Sequence, residues 1–162
     1  YFDDNVTDLR TEIGKLAAFQ CNFPEAWVAV IVLANAEYAA KKPWGREIWF
    51  ADQAAYAGKV LEVKKGCRLS LQYHERKTET LFLLSGKVLL TLRALAAGET
   101  PAPSLVTPAD QSVWLPGRAV HIPARTIHRF EALEDSVLLE VSTPELTDVV
   151  RLQDDFARPA RD

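Results

Sequence analysis

Two cysteines in 162 residues are too few for a disulfide framework. Cys21 and Cys67 lie far apart along the chain, which fits a reducing compartment. Long apolar runs are missing as well: the longest, VAVIVLA at 28–34, is far too short to span a bilayer. The opening YFDDNVTDLR is acidic and polar and shows no secretory leader. An excess of positive charge is also lacking. A formal net charge of -3 and a pI near 5.7 argue against nucleic acid or an anionic membrane as principal partner. There is no internal repeat and no low-complexity segment. What these absences leave is a cytoplasmic, soluble domain as the expectation.

At 48% hydrophobic and 25% charged residues, the composition is that of one globular domain with a sizeable core. Residues 3–20 place Val6, Leu9, Ile13, Leu16 and Ala17 on one helical stripe, behind Asp residues suited to a first turn. Residues 24–40 read as helix by their alanines and as buried strand by their β-branched run. Pro43 and Gly45 in KKPWG then mark a break. From there the pattern is β. REIWFA, YAGKVLEVK, CRLSLQYHE, ETLFLLS and KVLLTLR follow in close order, and after a Pro-rich loop come SVWL, AVHIPA, HRFEAL, SVLLEVST and DVVRL. Short strands at this density, cut by Gly and Pro, predict a sandwich or barrel.

Strand alternation in CRLSLQYHE puts Arg68, Ser70, Gln72 and His74 on one face and Leu69, Leu71 and Tyr73 on the other. A polar-lined interior, with an apolar outside packed against a further layer, reconciles the two. Gln72, His74 and Glu79 offer an amide oxygen, an imidazole and a carboxylate, all competent metal ligands. Glu79 opens the next strand after ERKT, and a hairpin there returns it beside His74. His128, starting a strand beyond Pro123, is a fourth candidate. Such a mixed N/O set suits zinc, manganese, iron or nickel. Lys59, in register with Leu61 and Val63, and Arg68 are inward cations that need a carboxylate or an anionic ligand. Trp44 and His121 read as packing and structural residues.

At fixed spacings the chain resembles the cupin superfamily. The first motif reads Gly66, five residues, Gln72-Tyr73-His74, four residues, Glu79, six residues, Gly86, with Gln where the family usually has its first His. The second reads Gly117, five residues, Pro123-Ala124-Arg125, two residues, His128, with Arg125 in place of a Gly. From about Lys42 to Arg158 the chain is further similar to the cupin domain of type II phosphomannose isomerases, through KPWGREIW, GCRLSLQYH, HIPARTIHR and DVVRLQDDFAR. It departs from that group at Glu75-Arg76-Lys77, at Thr80 and at Phe156-Ala157-Arg158.

The resemblance implies an all-β, single-domain cupin barrel of jelly-roll type over 42–158, with a partly helical extension over 1–41 and a tail over 159–162. It implies one divalent ion, zinc first, on Gln72, His74, Glu79 and His128. Lys59, Arg68, Arg151, Asp154 and Arg158 would meet a small, anionic substrate. The expected activity is isomerisation of a sugar or sugar phosphate from aldose to ketose. A dioxygenase using iron or nickel and a non-catalytic ligand-binding cupin are the alternatives. No base is identified, because alternation turns Glu75 outward. A homodimer is expected.

Overall fold

The computed structural model describes residues 38–160, whose regular secondary structure is almost wholly strand. Strands β1 (Tyr38–Lys42) and β2 (Gly45–Asp52) form a hairpin around Pro43 and Trp44. There follow β3 (Ala57–Val63), β4 (Leu71–His74), β5 (Glu79–Ser85) and β6 (Val88–Ala94). After a loop with two 3-10 turns come β7 (Gln111–Trp114), β8 (Ala119–Ile122), β9 (Thr126–Ala132), β10 (Ser136–Ser142) and β11 (Val149–Gln153). The strands make two antiparallel sheets, in the orders β1-β2-β3-β10-β5-β8 and β11-β4-β9-β6-β7. Among the described residues no pairing closes the two sheets into one barrel, so the architecture is a two-sheet sandwich. The helix expected over 3–20 lies outside the described residues. Strand β1 takes the last residues of the expected extension into the first sheet.

Alternation explains the core. Leu61, Val63, Leu81, Leu83 and Leu138 from one sheet pack against Val88, Leu90, Phe130 and Ala132 from the other, with Trp44 and Trp114 joining them. Part of the outer face of the second sheet is apolar too. There Leu71, Tyr73 and Ile127 are covered by Leu95, Leu105 and Val106 of the β6–β7 loop. The further layer expected over Leu71 and Tyr73 is therefore this loop.

The alternation fails at the start of β4. Regular strand begins only at Leu71, and Leu69 packs on the central core although Ser70 also faces the interior. Two consecutive inward residues shift the parity by one. Arg68, held by an isolated bridge to Glu131, is thrown to the outer face.

Gly45 fixes the β1–β2 hairpin against β3. Its φ is +151°, and a Cβ there would lie 1.8 Å from the Glu62 carbonyl oxygen. Gly45→Ala should therefore destabilise the fold by about 1–3 kcal/mol through strain and forced displacement. Urea unfolding would report this as a lower midpoint at unchanged slope. An unchanged midpoint would contradict the close approach.

Candidate metal centre

Register brings the candidate residues together. Gln72 on β4 pairs with His128 on β9, while Arg151 and Val149 on β11 pair with Gln72 and His74. Glu79 arrives from the other sheet. Strands β4 and β5 do not pair, so ERKT is a crossover between sheets and not the expected hairpin. Four residues suffice for either route, which is why spacing did not distinguish them. Glu79 thus meets the histidines across the interior, with Oε1 3.2 Å from His128 Nε2 and Oε2 3.9 Å from His74 Nε2. One donor atom from each of the three lies within 4.8 Å of the others, and all three residues are buried.

Both imidazoles are held from behind. His74 Nδ1 lies 3.2 Å from the Asp148 carbonyl oxygen, and His128 Nδ1 lies 2.9 Å from that of Thr126. A carbonyl only accepts, so each Nδ1 carries a proton and each Nε2 is the nitrogen turned to the interior, where it presents a lone pair whenever the ring is neutral. Nε2 of His74 is buried and has no hydrogen-bond partner among the described residues. A lone pair of this kind, facing a carboxylate and a second imidazole, has the chemistry of a divalent-cation site. Gln72 Oε1 accepts from the Ser70 hydroxyl at 2.6 Å, and its Nε2 lies 3.3 Å from His128 Nε2. A half-turn of the amide exchanges the two atoms and offers the oxygen to the site.

These residues floor a cavity of about 300 Å³. Lys59, Arg151 and Arg158 line it, whereas Arg68 and Asp154 do not. Arg68 is ion-paired to Asp155 on the outer face. Asp154 accepts from the Arg158 backbone at 2.8 Å and also from its guanidinium, so it positions Arg158 without facing the cavity. Lys59 reaches Glu140 at 3.2 Å and lies 4.5 Å above the Trp49 ring.

Sequence reasoning missed Lys77, Glu140 and Asp148. Lys77, inside ERKT, is only 5% exposed and donates to Glu79 at 2.5 Å and to Glu140 at 2.8 Å. Nothing in a turn marks a lysine as inward. Glu140 was open to the alternation argument, since Ser136, Leu138, Glu140 and Ser142 share the buried face of β10. Asp148 accepts from the backbone of Arg76 and Lys77 at 2.6 and 2.9 Å, pinning the crossover whose neighbour it already holds through His74. Glu75 faces away, bonded to Tyr73 and Arg125. Arg125, where the motif has Gly, adopts φ 59°, the left-handed conformation that suits glycine.

The charges respond to this packing. Burial pushes the His74 imidazole down to about 4, with Glu79 opposing and His128 and Lys77 adding to the effect. Burial alone would raise Glu79, but the hydrogen bond and charge of His128, with Lys77 and His74, hold it well below the carboxylate range. Burial also opposes the Lys77 charge, yet Glu140 and Glu79 outweigh it and raise the ammonium above its ordinary value.

No protein-family model matches the sequence, and no curated protein matches it. Solved structures do match. KdgF from Halomonas sp. is 20% identical, with a TM-score of 0.52, over 67% of this chain and 89% of that one. A sugar phosphate isomerase of the cupin superfamily from Silicibacter pomeroyi is 16% identical, with a TM-score of 0.51, over 68% of this chain and 66% of that one. A mutant of the Bacillus subtilis oxalate decarboxylase OxdC is 19% identical, with a TM-score of 0.55, over 72% of this chain and 30% of that one. The likeness establishes the fold, that of cupin-superfamily proteins, and by itself says nothing of activity. Among the described residues no helix is long and apolar enough to cross a membrane.

A pH titration of metal-free protein tests the buried His74. Its folded pKa of about 4 lies below the ordinary 6.5, so the unfolded chain takes up the proton first. The stability tied to His74 is complete above that ordinary value and is lost as pH falls toward the folded one. Between pH 7.5 and 5 the loss should be about 2 kcal/mol. His74→Ala should flatten this part of the profile. A flat wild-type profile over the same window would contradict the assignment.

Proposed function

We propose that Gln72, His74, Glu79 and His128 hold one divalent metal ion, zinc first and manganese, iron or nickel as alternatives. The cavity above it would isomerise a sugar or sugar phosphate between aldose and ketose. The observation carrying this reading is the orphaned, buried His74 Nε2 facing Glu79 and His128, on the floor of a cavity lined by Arg151 and Arg158. The motif resemblance to type II phosphomannose isomerases supports it, and the Silicibacter pomeroyi fold neighbour bears the same class of name.

When bound, the ion supplies Lewis acidity toward a carbonyl or hydroxyl oxygen. The chain's own residues supply the rest. Arg151 and Arg158 offer guanidinium groups to a phosphate or carboxylate. Trp44 and Trp49 line the cavity with apolar surface that limits water. Lys77, held charged, keeps Glu79 and Glu140 in place. Glu47 and Glu140 line the cavity without sharing the histidine cluster, and a carboxylate there can carry a proton between adjacent carbons. A homodimer, with no nucleic acid or membrane partner, completes the reading.

The test is a coupled assay on paired neutral and phosphorylated aldoses with metal-replete protein. Phosphorylated substrates should turn over with the higher kcat/KM. Arg151→Ala should weaken their binding by about 1.5–3 kcal/mol, the range for a charge-assisted hydrogen bond, with metal content unchanged. Equal kcat/KM for both members of each pair would contradict the anionic preference. Oxygen uptake without isomerisation, in the iron or nickel form, would favour the dioxygenase, and saturable binding without turnover a non-catalytic cupin.

A further inference from the structure

The outer face of the second sheet carries a second cavity, of about 180 Å³. Strand alternation in β9 sends His128 into the sandwich and Arg129 out to this face. The floor comes from Leu71, Leu89, Thr91 and Arg129, and Pro103 and Val106 of the β6–β7 loop close over it. This cavity therefore lies back to back with the metal centre and shares no lining residue with it.

Arg129 is only 9% exposed. Its Nε is buried without a hydrogen-bond partner among the described residues, and its Nη2 makes one long bond, 3.3 Å, to the Gln153 carbonyl oxygen. No ion pair to Arg129 occurs among the described residues. The nearby Arg68 differs, since both arms of its fork are taken by Asp155, at 2.5 and 3.1 Å. Burial, and then the charge of Arg68, hold the Arg129 guanidinium below its ordinary value, with Asp155, Glu131 and Asp154 opposing. A guanidinium has five N–H donors, and burying its Nε unmet is unfavourable unless an acceptor arrives.

We infer that this cavity binds a small monocarboxylate, which pairs with the Arg129 guanidinium and lays a short apolar body against Leu71, Leu89 and Val106. The planar fork suits a carboxylate through two parallel hydrogen bonds. Glu131 also lines the cavity, which raises the cost of a second negative charge and disfavours a phosphate dianion.

Propionate is the probe, added to nitrogen-15-labelled protein at constant ionic strength, with chloride and phosphate as controls. The arginine Nε–H resonance that disappears in Arg129→Gln should shift saturably with propionate, and neither control should reproduce the shift. Calorimetry should give the same affinity in Arg151→Ala, which disables the other cavity, and an affinity weaker by roughly tenfold or more in Arg129→Gln. Absence of a saturable shift, an equal shift with chloride, or affinity lost in Arg151→Ala and kept in Arg129→Gln would each overturn the assignment. Because the resonance shift is read on wild-type protein, the test stands even where the glutamine variant folds poorly, with Arg129→Lys then identifying the resonance. The metal reading is untouched by any of these results.

Discussion

Glu79 is a carboxylate withdrawn from water, and such a group persists only where positive charge or donors surround it. The interior is arranged to meet that demand. Lys77 sits on one oxygen and His128 faces the other. Lys77 in turn bridges to Glu140, and Glu140 to Lys59, so charges alternate in sign from the Trp49 ring to the histidine pair. Removing one member would leave its neighbour buried and uncompensated, a change that costs several kcal/mol in comparable pairs. This constraint ties the crossover after β4 to β3, β5 and β10, and so ties the two sheets together at the cavity floor.

The scaffold turns this charge arrangement into a site by register alone. Pairing of β11, β4 and β9 sets Arg151, Gln72 and His128 in one row, and Glu79 completes the cluster from the opposite sheet. The two backbone carbonyls behind the histidines do what outer-shell carboxylates do in known metal sites, fixing tautomer and ring direction together. Because adjacent residues of a strand face opposite ways, β9 serves two environments at once: His128 inward to the cluster, Arg129 outward to the second cavity.

Much of this was legible in the sequence. Strand density and alternation gave nearly every element from β2 onward, and motif spacing gave all four residues now found around the cavity floor. Arg68 was misplaced because alternation assumes a regular strand, and the chain before Leu71 is not one. The hairpin after His74 was wrong for a related reason, since a four-residue link fits a turn within a sheet or a step between sheets. Lys77 was invisible because its burial depends on Glu140, far away in sequence and brought near by the β3–β10–β5 pairing. Asp154 was read as substrate-proximal from its place in the closing motif, while its carboxylate is used up in holding Arg158.

The central claim is that His74 and His128 bind one metal ion through Nε2 while their Nδ1 protons stay bonded to backbone carbonyls. Proton NMR of the cobalt-loaded protein addresses it directly. Two exchangeable, strongly shifted Nδ1–H resonances are expected at one cobalt per chain, both slow to exchange because Asp148 and Thr126 hold them. Cobalt bound without such resonances, or no stoichiometric cobalt at all, would contradict the account.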